Sequence, residues 1–259
     1  MKYFVIDVFT EKLFGGNPAG VCLLDSWPDD AVMQNIAAEN NLAETAFLVR
    51  EDENSYGLRW FTPEIEIDLC GHATLASAFV LMNELRAVSG TVDFHTQSGK
   101  LTVTKNDDMF TMDFPSRAPV RCDVPTLLEK ALGVPVMETH MSRDLLVLLD
   151  NEDTIRNLRP DFALLREIDN VFAVIVTARG TDCDFVSRFF APGAGIPEDP
   201  VTGSSHCTLI PFWSSRLGKA QMKARQLSAR GGSLLCEDCG ERVKIGGTAV
   251  CYLCGEIGL

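Results

Sequence analysis

The sequence contains three pairs of similar segments that occur in the same order in its two halves. The pairs are LRWFTP (58–63) with VSRFFAP (186–192), DLCGHATL (68–75) with DPVTGSSHCTL (199–209), and QSGKL (97–101) with RGGSL (230–234). The second member of each pair follows the first by about 130 residues. Such a duplication predicts two similar domains, 1–116 and 117–259, with a boundary near PSRAPV (115–120).

In each copy, a glycine-containing turn leads from a strand into an apolar helix. ATLASAFVLMNEL (73–85) has no polar stripe before Asn83, and a helix that is apolar on all sides must be buried on all sides. The second helix, SHCTLIPFW (205–213), contains Pro211, which predicts a kink or a helix start. Because strand-like runs surround both helices, we expect an α+β fold in which a strongly curved sheet encloses each short helix.

Composition and charge exclude several classes of function. The chain has 259 residues, 46% of them hydrophobic, and a net charge of −13, which repels nucleic acid and anionic lipid. It has no glycine-rich nucleotide loop, no signal-like N-terminus and no uncharged run of membrane-spanning length. We therefore expect a cytoplasmic protein with neither nucleic acid nor membrane as a partner, whose nine cysteines are reduced.

The starts of the two apolar helices, at Gly71 and Gly203, are candidate ligand sites. The first N–H groups of a helix lack partners within the helix and carry partial positive charge. Two such ends facing one cleft between the halves could hold a carboxylate or a developing enolate. The alternative is that both are ordinary helix ends at a domain interface, with no ligand.

Four side chains near these helix starts could carry proton transfer. His72 follows Gly71, the repeat places Ser204 at the same position in the second half, and Asp199 comes shortly before it. Glu44, in NLAETAFLV, is a carboxylate among apolar residues at the start of a predicted strand, a setting that suits a proton carrier. Structural interpretations are also open: His72 could be a capping or core histidine, and Glu44 could be a surface glutamate at a strand end.

A competing interpretation is a structural zinc site in the C-terminal region. CEDCG (236–240) and CYLCG (251–255) supply two CxxC pairs, and this is the spacing of a zinc ribbon formed by Cys236, Cys239, Cys251 and Cys254. However, residues three apart on a strand point to opposite faces. If Cys251 and Cys254 lie on a strand, they can chelate together only where the chain bends, so we favour no metal.

With these residues in view, the chain resembles the PhzF-like family of phenazine-biosynthesis proteins, which is related in fold to diaminopimelate epimerase. The matching segments, in family order, are DVFT, FGGNPAGV, NLAETAF, RWFTPEIEIDLCGHATLA, MDFP, RFFAPGAGIPEDPVTGSSHC, SARGG and IGGTAV. The combination of DLCGHAT with EDPVTGSSH is the most specific part of the resemblance.

The resemblance implies two similar domains, each a curved, mostly antiparallel sheet or barrel around a central helix, with the active site between them. It implies a cofactor-independent isomerase that shifts a proton within a small carboxylate-bearing metabolite, and a homodimer. Carried over by position, the family's catalytic residues fall on Glu44, His72, Asp199 and Ser204. In the resembling proteins the loop that corresponds to GGNPAG borders the cleft, so Asn17, together with Gly71 and Gly203, is expected to contact substrate.

The sequence also departs from its relatives. Ala43 replaces a serine that many relatives have before the glutamate, and His72 and Ser204 occupy the helix starts at which diaminopimelate epimerase has two cysteines. Cys70 and Cys207 lie nearby but are displaced. A two-thiol racemase is therefore disfavoured, while another racemase or epimerase activity and a non-catalytic binding protein remain the alternatives. The physiological substrate is left open.

Overall fold

The computed structural model describes residues 1–258, so residue 259, the last of the predicted C-terminal half, lies outside the described residues. The described chain divides into two compact units, residues 1–113 with 246–258, and residues 114–245. The elements of the first unit are β1 (Lys2–Val8), β2 (Asn17–Leu24), α1 (Asp30–Asn40), β3 (Glu44–Arg50), β4 (Ser55–Phe61), β5 (Glu66–Ile67), α2 (Gly71–Phe79), β6 (Thr91–Thr96), β7 (Gly99–Asn106) and β8 (Met109–Pro115).

The elements that follow belong mainly to the second unit. They are β9 (Val120–Cys122), α3 (Leu128–Leu132), β10 (Glu138–Met141), β11 (Leu145–Leu148), α4 (Glu152–Asn157), α5 (Phe162–Arg166), β12 (Val174–Arg179), β13 (Phe185–Ala191), β14 (Ile196–Asp199), α6 (Gly203–Leu217), β15 (Gln221–Gln226), β16 (Gly232–Asp238) and β17 (Arg242–Gly247). The last strand, β18 (Ala249–Glu256), lies in the first unit. None of the helices in residues 1–258 combines the length and the hydrophobicity that crossing a bilayer requires.

The two units have the same order of strands and the same directions of pairing. In the first unit β1 pairs antiparallel with β18 and β2, β2 pairs parallel with β3, β3 antiparallel with β4, β4 parallel with β6, and β6 antiparallel with β7. In the second unit the corresponding strands are β9 to β16, and every direction is the same. The predicted α+β fold with two similar, mostly antiparallel sheets is confirmed.

The end of the chain returns to the first unit. β18 pairs with β1 over seven positions, from Lys2 with Glu256 to Val8 with Ala249. In the second unit, the strand in the same position is β9, which pairs with β10. β18 therefore completes the sheet of the first unit, although it is far along the chain from the other strands of that unit. The division at residues 116 and 117 stays a prediction, but it assigns β18 to the second half, whereas β18 pairs in the first.

The apolar helix of each unit is buried as its composition predicted. Every residue of α2 from His72 to Phe79 is buried, and α2 packs against β1, β2, β3, β7 and β18. A π-helical turn, Val80–Glu84, continues it. This complete burial fixes where the start of α2 lies relative to the strands, and the start of α2 carries His72.

Helix α6 continues through Pro211, so this proline does not mark a helix start. A proline inside a helix cannot donate a hydrogen bond to the carbonyl four residues earlier, which here belongs to Cys207. The backbone N–H of Arg117 donates to that carbonyl over 2.9 Å. The second unit thus satisfies the group that Pro211 leaves unpaired, and α6 keeps the full fifteen residues that follow its start at Gly203.

A pair of arginine clamps confirms the duplication at the level of side chains. Arg59 on β4 donates two hydrogen bonds to the carboxylate of Glu66, both over 2.7 Å. Arg188 on β13 does the same with Glu198, over 2.7 and 2.9 Å. Bidentate pairs of this kind fix the orientation of the guanidinium and the carboxylate as well as the distance between them. Each clamp ties a long central strand to the short strand that leads into the buried helix.

The turn before β2 gives the first prediction. Gly16 has a φ of +61°, and a Cβ at this position would lie 2.0 Å from the backbone oxygen of Val8. Gly133 has a φ of +71° but open space around it. Gly133→Ala should cost only the left-handed backbone strain, about 1 kcal/mol. Gly16→Ala should cost about 2 kcal/mol more, because backbone atoms must move.

Urea unfolding of the two variants and the parent protein measures this difference. Equal losses in the free energy of unfolding would contradict the close approach of Gly16 to β1.

Candidate active site

Three ionisable side chains of the first unit meet at the start of α2. His72 Nε2 lies 3.2 Å from Glu44 Oε2, and Cys70 Sγ lies 3.5 Å from His72 Nδ1. Asn17 Nδ2 lies 3.5 Å from the same Nδ1 atom. The side chains of His72 and Glu44 are only 8% and 13% exposed, so this is a buried charged group rather than a surface pair.

Three of these residues stand at the first or second position of an element, and Cys70 directly precedes α2. Asn17 begins β2, Glu44 begins β3, and the parallel pairing of these strands places Glu44 opposite Ala19. Because His72 is the second residue of the fully buried α2, its ring extends toward the ends of the strands that α2 packs against. The parallel pair β2 and β3 thus holds Asn17 and Glu44 on either side of one imidazole.

The surroundings of His72 favour its protonated form. Burial alone would lower the pKa of the imidazole, but the Cys70 sulfur and the Glu44 carboxylate raise it well above the usual 6.5. Burial raises the pKa of the Cys70 thiol, and the nearby Glu44 carboxylate raises it further. We conclude that the imidazole of His72 is protonated at neutral pH, beside the Cys70 thiol and the Glu44 carboxyl group.

The second unit carries a polar network at the corresponding place. Thr202 directs its hydroxyl to Asp199 Oδ2 over 2.5 Å, and its backbone N–H donates to Gln226 Oε1 over 2.9 Å. The Gln226 amide also donates to the backbone oxygen of Asp199 over 2.8 Å. Asp199 ends β14, and Ser204 is the second residue of α6, as His72 is of α2. The network holds Asp199 against the turn that leads into α6.

The two helix starts have different chemistry. In α6, Thr202 precedes the first residue but forms no cap with its side chain. His206, one turn into α6, is fully buried and close to Thr202 O, with Nδ1 at 2.8 Å. Burial lowers the pKa of His206 to about 4, so this ring is neutral. At the second position of the helix, the first unit therefore has the protonated imidazole of His72 and the second unit has the hydroxyl of Ser204. The neutral His206 follows two residues after Ser204.

The structure brings some of the predicted residues together and leaves others in separate units. Glu44, His72 and Asn17 form one group with the start of α2 at Gly71. Asp199, Ser204 and the start of α6 at Gly203 belong to the second unit. Their joint action in one reaction remains a prediction.

Sequence reasoning missed three residues of these groups. Cys70 was noted, but as a displaced cysteine, although its sulfur contacts the catalytic candidate His72. Thr202 could have been found, because it directly precedes the glycine of the second helix start. Gln226 has no local signal, since it reaches Thr202 from β15, another element of the fold.

The side chains that could bind a metal do not converge where the zinc-ribbon prediction placed them, at the cysteines of the two CxxC pairs. Among residues 1–258, three such side chains converge at one place, where donor atoms of Glu44, Cys70 and His72 all lie within 4.8 Å of one another. Cys236 is buried in β16 opposite Met222 and Cys239 lies in the following turn. Neither belongs to a group of that kind.

Cys251 and Cys254 both lie on β18, where a bulge shifts the register. Cys251 pairs with Ile6 and Cys254 with Phe4, which are two residues apart and share a face of β1. The bulge therefore places two thiols on one face, contrary to the alternation expected of a regular strand. Burial raises the pKa of Cys251 to about 11, with contributions from Glu84 and Cys254.

The two buried histidines should titrate in opposite directions. We expect the His72 ring to remain protonated well above pH 6.5 and the His206 ring to remain neutral down to about pH 4. His72 then stabilises the fold below pH 6.5 and loses that contribution as the pH rises through its higher pKa. His206 stabilises the fold above pH 6.5, and this contribution is lost as the pH falls toward 4.

Imidazole resonances followed by NMR across pH 3 to 10 measure both values. Glu44→Gln should lower the pKa of His72 and leave that of His206 unchanged. A His72 ring that titrates below pH 6.5 in the parent protein would contradict the charged pair.

Comparisons with known proteins agree with this fold and these motifs. The family model described as phenazine biosynthesis-like protein matches residues 6–255. A protein of Pseudomonas aeruginosa named as an uncharacterized isomerase is 50% identical, with 100% of this chain and 99% of that protein covered. The crystal structure of a PhzF-family phenazine biosynthesis protein from Enterococcus faecalis is 50% identical, with a TM-score of 0.97 over 100% of this chain and 99% of that one.

A more distant structure has the same fold. It is a probable proline racemase from Agrobacterium radiobacter, with bound carbonate, which is 12% identical with a TM-score of 0.65 over 100% of this chain and 93% of that one. The names of the similar proteins support an isomerase-type activity. The model match across almost the entire chain shows the family directly: the chain belongs to the PhzF family of phenazine biosynthesis-like proteins.

Proposed function

We propose that this protein is a cofactor-independent isomerase that shifts a proton within a small carboxylate-bearing metabolite. The observation that carries the proposal is the buried pair of Glu44 and His72, 3.2 Å apart at the start of α2. A carboxyl group beside an imidazolium supplies a base and an acid at the same place. Such a pair serves a reaction that removes a proton and then returns it.

In the proposed reaction Glu44 is the proton carrier. Its ionised carboxylate takes a proton from an acidic carbon of the substrate, and the adjacent imidazolium stabilises the ionised state before the transfer. Once Glu44 is protonated, it returns the proton at a second carbon. His72 acts as the partner that sets the protonation state of Glu44, and Asn17 lies on the other side of the ring, with Nδ2 at 3.5 Å from Nδ1.

We assign Asp199 and Ser204 of the second unit to the same reaction. Support comes from the duplication, since Ser204 occupies in α6 the position that His72 occupies in α2. Ser204 and the backbone N–H groups at Gly71 and Gly203 would orient the substrate carboxylate, because helix N-termini favour anions. Asp199, held by Thr202, would help to set the protonation of the substrate or of Glu44.

The proposal requires no metal or pyridoxal. An extended π-system in the substrate can delocalise the charge that remains when the proton leaves, and the helix starts can stabilise it. We also propose, on the basis of the family resemblance, that the protein is a cytoplasmic homodimer.

An epimerase or racemase is the second candidate. It is favoured by the contact of the Cys70 thiol with His72, which places a second proton-bearing group near the pair. The probable proline racemase shows only that the fold is compatible with this chemistry. An epimerase exchanges the proton at one stereogenic carbon with solvent, whereas the proposed isomerase moves a proton between two carbons.

A panel of cyclic and acyclic carboxylic acids incubated in deuterated water tests the proposed function. We expect deuterium at an allylic position of at least one unsaturated acid, detected by NMR. Incorporation confined to the α-carbon of amino acids would instead establish the epimerase. Binding of these acids with neither deuterium exchange nor an isomerised product would contradict both activities and indicate a non-catalytic binding protein.

Glu44→Gln should slow this exchange by about 10²- to 10⁴-fold, because glutamine cannot accept the proton. The fold should persist, since the amide keeps the size and one hydrogen-bonding oxygen of the carboxylate. The matched control is Glu39→Gln, an exposed glutamate of α1, which should exchange at the rate of the parent protein. A Glu44→Gln protein that exchanges at the parent rate would refute the assignment of the proton carrier.

Ser204→Ala tests whether the second unit binds the substrate. With the acid that the panel identifies, we expect KM to rise about tenfold while kcat changes little, because the hydroxyl orients the ligand and does not carry the proton. The control is Ser215→Ala, which removes an exposed hydroxyl from the same helix. An unchanged KM in Ser204→Ala would exclude Ser204 from the site.

A further inference from the structure

The group at the start of α2 contains more donor chemistry than proton transfer needs. Glu44 offers a carboxylate oxygen, His72 an imidazole nitrogen and Cys70 a sulfur, and these donor atoms all lie within 4.8 Å of one another. The proposed proton transfer uses only the first two. Oxygen, nitrogen and thiolate donors together are the set that binds zinc and other borderline-soft divalent cations.

The distances can be compared with those around a tetrahedral ion. Zinc lies about 2.0–2.3 Å from such donors, which places neighbouring donors about 3.3–3.6 Å apart. Here His72 Nε2 lies 3.2 Å from Glu44 Oε2, and His72 Nδ1 lies 3.5 Å from Cys70 Sγ. Because these two distances start from different nitrogens of the ring, a single ion can use one of them as an edge that already has the right length.

The other edges require a small movement of a side chain. A single ion binds one nitrogen of the ring, so an ion at the Glu44 side needs the Cys70 sulfur to approach, or an ion at the Cys70 side needs the Glu44 oxygen. Either donor starts no more than 4.8 Å from the others. Rotation of one side chain covers a difference of about 1 Å without a backbone change.

We propose that Glu44, Cys70 and His72 form a binding site for a single soft divalent cation such as Zn²⁺. On binding, the Cys70 thiol and the ligating ring nitrogen release their protons to solvent, and bonds from sulfur, nitrogen and oxygen to the ion replace them. Three protein ligands leave a fourth position for water or a substrate carboxylate.

The cation would also inhibit the enzyme. This part rests on the proposed function, because it requires Glu44 to be the proton carrier. An ion that holds the Glu44 oxygen and one ring nitrogen removes both the base and its partner from the reaction. The site would thus make the activity sensitive to free zinc.

Cobalt titration of the reduced protein tests the binding. Co²⁺ on a thiolate gives a sulfur-to-metal charge-transfer band in the near ultraviolet together with visible ligand-field bands. We expect one equivalent of Co²⁺ to saturate these bands and Zn²⁺ to bleach them. Cys70→Ala should abolish the charge-transfer band, and Glu44→Gln should weaken binding at least about tenfold while the band persists.

The controls separate this site from the other thiols. Cys254→Ala removes one member of the thiol pair on β18 and should leave the titration unchanged, as should Cys207→Ala in α6. If Cys70→Ala does not fold, His72→Gln serves in its place and should also abolish the ligand-field spectrum. A band that survives in Cys70→Ala but disappears in Cys254→Ala would overturn the proposal and assign the metal to β18. A parent protein without a charge-transfer band would overturn it outright.

Deuterium exchange with and without Zn²⁺ then distinguishes the two proposals. Cobalt binding at Cys70 together with exchange that Zn²⁺ does not inhibit would retain the metal site and refute Glu44 as proton carrier. Exchange that depends on Glu44, in a protein that binds no cobalt, would retain the isomerase and refute the metal site.

Discussion

The buried contact between Glu44 and His72 is the interaction on which the site of the first unit depends. Removing two charges from water is costly, and such a pair persists only where geometry and further partners compensate. Here the ring is held between Glu44 on one side and Cys70 and Asn17 on the other. Loss of one partner of a buried ion pair typically lowers the free energy of unfolding by about 3–5 kcal/mol. The pair therefore depends on β2, β3 and the start of α2 all being in place.

The fold supplies those elements through burial of one helix. Because α2 is apolar on every side, it is enclosed by strands. Its first turn lies beside the residues that begin β2 and β3. The clamp of Arg59 on Glu66 fixes the segment that leads into α2. The second unit repeats this scaffold with Arg188 and Glu198 but changes the side chain at the helix start. The two copies thus share the arginine–glutamate pair and the buried helix, but differ in the side chain at the helix start, which is His72 in one and Ser204 in the other.

The amino-acid sequence contained much of this account, for physical reasons. The apolar helix at 73–85 could be placed because a helix without a polar face has only one stable environment. The duplication was visible because both copies keep the arginine that binds a carboxylate, Arg59 or Arg188, and a glycine at the start of the buried helix. The meeting of Glu44 with His72 was open to inference only through the family resemblance, since the two residues are brought together by strand pairing and helix packing.

Other features could not be read from the sequence. The pairing of β18 with β1 joins the two ends of the chain, and no local pattern specifies a contact at that separation. The bulge in β18 places the Cys251 side chain on the same face of the strand as that of Cys254, because one extra residue shifts the alternation of side chains. The role of Cys70 depended on a side-chain direction, which spacing along the chain does not determine.

The central claim is that one buried carboxylate carries the proton from one carbon of the substrate to another. The most direct test uses a substrate deuterated at its acidic carbon and a single turnover in ordinary water. If Glu44 carries the proton while shielded from solvent, a measurable fraction of the deuterium appears at the new position in the product. Complete replacement of the label by solvent hydrogen would contradict transfer by a single buried carrier.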